Sequence, residues 1–166
     1  MTGIQAFEKV TNNINRVLTA IGLALLFVMM VMGAVDVIGR YLFSSPIIGT
    51  LEMSQAFLAV IVCFGWGYTQ AVKGHVNVDL FLKRISPRNQ AITNFITTLF
   101  ALGIFVIITW QSIITGIEWL QKGRLLYVVD WPVAPFQFCV TLGAIVLCLV
   151  IIIDLINLFR QIRQEA

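Results

Sequence analysis

Residues 17–35 read VLTAIGLALLFVMMVMGAV, a run without one charged side chain. A helix rises about 1.5 Å per residue and a bilayer's hydrocarbon core is about 30 Å thick, so this run is long enough to cross once. Working outward, the same test finds three further uncharged runs, Met53–Val72, Asn89–Ile117 and Trp131–Ile153. Asn89, Gln90 and Asn94 make the start of the third interfacial, leaving Phe95–Ile117 as its apolar part. The reading is an all-α integral membrane protein with four transmembrane helices, at about 17–39, 52–72, 92–117 and 134–156. Composition agrees. Of 166 residues, 59% are hydrophobic and 11% charged, against about a quarter charged in a soluble domain, and the mean hydropathy is +0.93. The first run exceeds the roughly 7–15 apolar residues of a secretory signal and lacks a small-x-small cleavage site, so it is expected to stay as a span. No loop is long enough to fold separately, and 1–166 is expected to form a single membrane domain.

The basic residues divide unevenly between the two ends of such a bundle. Lys9, Arg16, Lys73, Lys83, Arg84, Arg88, Arg160 and Arg163 fall at one end; Arg40, Lys122 and Arg124 fall at the other. Positive loops stay in the cytoplasm, which predicts that both termini and the 73–88 loop are cytoplasmic. Tyr41, Trp119, Tyr127 and Trp131 gather at the opposite, outer end and suit an interfacial aromatic belt. Two shorter segments have helical periodicity without spanning length. At about 3–15, Ile4, Phe7, Val10, Ile14 and Val17 alternate with Gln5, Glu8, Lys9, Asn12 and Asn13, which predicts a short amphipathic helix on the membrane surface. At about 77–86, Val78, Phe81, Leu82 and Ile85 repeat the pattern with Asp79, Lys83 and Arg84 on the wet side. Gly74 is expected to end the second span, and Ser86-Pro87 to open the third.

Candidate chemistry is sparse. His75 is the one histidine; alone it is neither a metal site nor a bis-histidine haem site, and it reads as a polar boundary residue. Cys63, Cys139 and Cys148 lie in apolar runs without CxxC spacing and read as small packed hydrophobes. Charges inside a bilayer are costly and mark pathways, yet here they avoid the midplane. Asp36 and Arg40 are spaced for an i,i+4 ion pair at the outer end of the first span. Glu52 opens the second span at the same level, and Asp154 lies near the inner end of the fourth. Thr97, Thr98, Thr109, Gln111 and Ser112 are expected to bond backbone or neighbouring helices. Gly65-Trp66-Gly67 suits close helix packing, with Trp66 and Gly67 candidates for contact with a partner subunit. No nucleophile–base pair, glycine-rich phosphate loop or metal-ligand cluster is present, so no enzymatic activity, cofactor or nucleic-acid partner is expected.

Several of these residues together resemble a known family. Arg40-Tyr41-x-Phe43 closes the first span, Glu52 opens the second, and Gly67 and Gly74-His75-Val76-x-Val78-Asp79 follow. With the four-span plan, they are similar to the small membrane subunit (DctQ-like) of tripartite ATP-independent periplasmic (TRAP) transporters of bacteria and archaea. One departure is visible: Ile48-Gly49-Thr50-Leu51 stands where that family often has tryptophan and a second acidic residue. The resemblance implies an inner-membrane, sodium-driven importer of organic anions, carboxylates such as C4-dicarboxylates, sialic acid or sugar acids. In such a system a periplasmic binding protein captures the substrate and a large membrane subunit moves it. It implies that the small subunit braces the large one and helps dock the binding protein, without a substrate site of its own. Gly74, His75 and Asp79 would then organise the cytoplasmic boundary and Asp36, Arg40 and Glu52 the outer one. Arg40, Lys122 and Arg124 would be the charges that meet the binding protein. A small four-helix exporter and a membrane anchor for another complex are the alternative classes. The first needs an ionisable residue within a span, and neighbouring genes would separate all three.

Overall fold

The computed structural model describes residues 3–72 and 87–164. They form four helices: α1 (Gly3–Phe43), α2 (Thr50–Ala71), α3 (Pro87–Gln121) and α4 (Ala134–Gln164). Each takes in all or most of one of the four uncharged runs and is long and apolar enough to cross a membrane. The segment at 77–86 and the boundary residues Gly74, His75 and Asp79 lie outside the described residues.

The helix boundaries follow from local chemistry. Gly49, at φ +87°, sits in the left-handed region just before α2, a conformation that costs a side-chain-bearing residue far more. Pro87 opens α3, where its fixed φ fits and its missing N–H removes nothing. At the other end of α3, Gly123 has φ +58°. The Arg124 N–H bonds the Trp119 carbonyl at 3.0 Å and the Gly123 N–H the Leu120 carbonyl at 3.3 Å. This pair is the Schellman pattern that closes a helix on a glycine.

One expectation differs from the structure. The surface helix at 3–15 is not a separate element: it runs without a break into the span as part of the 41-residue α1. Arg16 interrupts the hydropathy but not the backbone, because a charged side chain breaks no helical hydrogen bond, and neither glycine nor proline occurs between Ile4 and Ile21. At about 1.5 Å per residue α1 is roughly 60 Å long, about twice the hydrocarbon thickness.

In space α1 packs on α2, α2 on α4 and α4 on α3, with a shorter seam between α1 and α4. α4 is therefore the central helix, and α1 and α3 flank it on different sides. Leu18 from α1, Val60 and Phe64 from α2 and Val146 from α4 form the common core, ringed by Leu25, Phe136, Cys139 and Val140. Small residues set the spacing. A Cβ on Gly143 of α4 would stand 2.7 Å from the Cys63 carbonyl oxygen, so the two backbones touch there. α3 reaches α2 through Trp66, whose ring meets Phe105 edge-on at 5.6 Å between centroids.

The distribution of polarity is the reverse of a soluble bundle. Thr11, Asn15, Asp36, Ser112 and Thr141 are buried, while Leu23, Phe27, Met30, Phe100 and Ile107 are exposed. On α1, Val10 and Val17 point outward and Thr11, Asn15 and Leu18 inward. In water this outward apolar surface would aggregate; against acyl chains it carries no penalty, and the polar groups find one another inside.

Candidate functional site

The bundle has a loop end, with the α1–α2 and α3–α4 connections, and a terminal end, with both chain termini. Most of the sequence candidates among the described residues lie at the loop end. Asp36, on the last turns of α1, is buried and accepts two bonds. Oδ2 takes the Arg40 guanidinium at 2.8 Å, and Oδ1 takes the Ile47 N–H at 2.8 Å. One carboxylate therefore ties its own helix to the chain that has already turned toward α2. The turn is tight: the Ser45 N–H bonds the Gly39 carbonyl at 3.1 Å, and Ser44 takes φ +50° to allow it.

Glu52 performs the matching task for the second connection. Its Oε1 accepts the Tyr127 N–H at 2.6 Å and its Oε2 the Val128 N–H at 2.9 Å. Those amides belong to a hairpin between α3 and α4, closed by Leu126 N–H to Trp131 O at 2.8 Å and Val133 N–H to Arg124 O at 3.1 Å. Ionised acceptors make stronger hydrogen bonds than neutral ones. Two on neighbouring amides fix both the position and the tilt of the hairpin. Arg40, Ile47, Gly49, Thr50, Leu51, Glu52, Gln55 and Val128 line a shallow groove of about 370 Å³ between the two connections.

The basic candidates have local partners. Arg40 keeps its side chain 60% exposed while paired to Asp36. Lys122 pairs with Glu118 one turn earlier on α3. The Arg124 guanidinium lies 4.8 Å from the Trp119 ring centroid, a cation–π stack. Tyr41, Tyr127 and Trp131 are exposed at this same end.

Trp66 and Gly67 lie where α2 meets its neighbours within the chain. Gly67 is buried within the chain, where a Cβ would come 2.6 Å from Asn15 Oδ1 and 3.5 Å from Val146. Its lack of a side chain lets α1 approach α2. Trp66 is half-buried against α3.

Interior polar groups join helices rather than line a path. Ser112 and Thr141 hydroxyls are 2.7 Å apart, and Gln137 Nε2 donates to Ser112 Oγ at 2.7 Å, bonding α3 to α4. Thr109 donates to its own turn at Phe105 O, 2.7 Å away, and lies 3.7 Å from Cys148 Sγ. Near the terminal end Gln70 Nε2 donates to Asp154 Oδ2 at 2.8 Å, bonding α2 to α4. Sequence reasoning missed the partners of Glu52 and Gln70. Each pairing joins elements far apart in the chain, and no local spacing signals it.

Residues 29–161 match the family model of tripartite ATP-independent periplasmic transporters, DctQ component. No curated protein matches the chain. The match covers most of the sequence, from within the first span to the fourth, and the chain belongs to the DctQ family, the small membrane component of TRAP transporters.

Proposed function

We propose that this small TRAP membrane subunit is a non-catalytic brace. It holds the large transport subunit at a fixed level in the inner membrane and presents the loop end to a periplasmic binding protein. Both termini face the cytoplasm, and transport is a sodium-driven import of an organic anion carried out by the large subunit. One observation carries this reading. Among the described residues, the charged side chains of the four spans lie toward their ends, and the polar groups between them bond their own helical turn or a neighbouring helix, Asn15 Oδ1 excepted. A moving substrate or ion needs polar or ionised groups held open to it near mid-depth. The outward apolar faces of α1, α3 and α4 supply the packing surface that a brace requires.

The test is reconstitution. The purified chain alone in proteoliposomes is expected to take up no organic anion under an inward sodium gradient. Adding the large subunit and the binding protein is expected to restore uptake. Uptake by the chain alone would overturn the reading. Reporter fusions at either terminus are expected to be active only with a cytoplasm-specific reporter, and a fusion after Lys122 only with a periplasm-specific one.

A further inference from the structure

The seam between α3 and α4 opens near the terminal end into a groove that none of the contacts above uses. Phe95 from α3 and Leu155, Ile156, Phe159 and Arg160 from α4 line an open cavity of about 400 Å³. Phe95 and Phe159 face each other with ring centroids 6.4 Å apart and planes tilted by 46°. Among the described residues Arg160 is the single charged side chain in the lining, and it is exposed. The nearby Asp154 carboxylate is directed to Gln70 on α2, away from α3.

We propose that this groove binds one anionic phospholipid, with a stretch of acyl chain against the Phe95–Phe159 wall and the phosphate on the Arg160 guanidinium. Three features favour this occupant. The walls are apolar and the volume lies at the small end of ligand sites, about 300–1,000 Å³, which suits part of one chain. The only charge sits past the apolar body of α4, at the depth where a phosphate would be, and a guanidinium fork matches phosphate oxygens. Eight of the eleven basic residues fall at this end in the sequence, so the local field favours an acidic headgroup. The outward apolar surface around Phe100 and Ile107, by contrast, has no charge to select a headgroup.

The experiment is native mass spectrometry of the full-length chain released from detergent, titrated with phosphatidylglycerol or with phosphatidylcholine of the same acyl chains. One phosphatidylglycerol is expected to remain bound under conditions that strip phosphatidylcholine. Arg160→Gln is expected to weaken retention about fivefold, the factor for one basic side chain beside an anionic headgroup, and Arg160→Lys to recover most of it. Ile156→Trp, which fills the groove and leaves the arginine, is expected to abolish the preference. Circular dichroism identifies any variant that fails to fold, and the Lys variant then carries the test. Equal retention of the two lipids by the unaltered chain would overturn the proposal, as would an Arg160→Gln chain that keeps the preference. So would an Ile156→Trp chain that retains phosphatidylglycerol but no longer assembles with the large subunit, since the groove would then hold a partner helix.

Discussion

Two side chains at the loop end, Asp36 and Glu52, each accept backbone N–H groups from a connection, and one buried amide, Asn15, presses on a glycine. These contacts lead to separable predictions. Glu52→Gln replaces two charged acceptors with one neutral oxygen and an amide that opposes an N–H donor. Because the pair is exposed, the loss is expected to be about 1 kcal/mol, below the roughly 1.5–3 kcal/mol of hydrogen bonds to charged groups. Hydrogen exchange at Tyr127 and Val128 is then expected to quicken about fivefold while the helix interiors stay protected. Unchanged exchange there would show that Glu52 does not hold the hairpin. Gly67→Ala drives a methyl to within 2.6 Å of Asn15 Oδ1, which is expected to destabilise the bundle by about 1–3 kcal/mol. The Asn15 oxygen has no hydrogen-bond partner among the described residues. Asn15→Ala in the same chain is therefore expected to restore much of the lost thermal stability in detergent. At this scale the sequence was partly legible. The i,i+4 pairing of Asp36 with Arg40 follows from spacing. The same spacing pairs Lys122 with Glu118 on its own helix.

For the helices, charge gaps locate the four spans, because the cost of a charge in hydrocarbon is large and local. They locate helix ends poorly, because a helix continues into water wherever its backbone bonds do. α1 is the example: Arg16 marks the edge of an apolar run and leaves the helix intact. Neither the order of helices in space nor the face each one buries follows from hydropathy, since all faces of a membrane helix can be apolar. Small residues carry that information. Gly143 and Gly65 make the comparison. A Cβ on Gly143 would stand 2.7 Å and 2.8 Å from the carbonyl oxygen and carbon of Cys63, backbone atoms that cannot rotate aside. A Cβ on Gly65 meets nothing within 4 Å. Gly143→Ala is expected to lower the unfolding temperature in detergent by more than Gly67→Ala, where only a side chain has to yield. Gly65→Ala is expected to be neutral or to stabilise by up to about 1 kcal/mol through helix propensity. Equal effects at 65 and 143 would contradict the α2–α4 seam.

At the scale of the whole molecule several charges, aromatic rings and the α1–α2 and α3–α4 connections converge at the loop end, and the docking proposal is tested there. Family resemblance made the partners legible; the surface they touch depends on contacts that no spacing encodes. Arg40, Lys122 and Arg124 carry the positive charge of this end, each next to a group that limits its motion: Asp36, Glu118 and the Trp119 ring. Such anchored charges orient an incoming protein with less entropy to lose than free ones, but exposed pairs are individually worth only about 0–1 kcal/mol. Their effect is therefore expected in encounter rate and salt dependence more than in final affinity. Reversing both loop charges, Lys122→Glu with Arg124→Glu, sets a second carboxylate one turn from Glu118, a local repulsion of about 0.2–0.5 kcal/mol. The neutral pair Lys122→Gln with Arg124→Gln controls for that strain. Both variants are expected to assemble with the large subunit as the unaltered chain does. The reversed pair is expected to slow binding-protein-dependent uptake at low ionic strength, the neutral pair to slow it less, and both to converge on the unaltered chain as salt shortens the screening length toward about 3 Å at 1 M. If uptake by all three chains is the same at low and at high salt, Lys122 and Arg124 serve α3 and its hairpin alone, and the binding protein is oriented by something else.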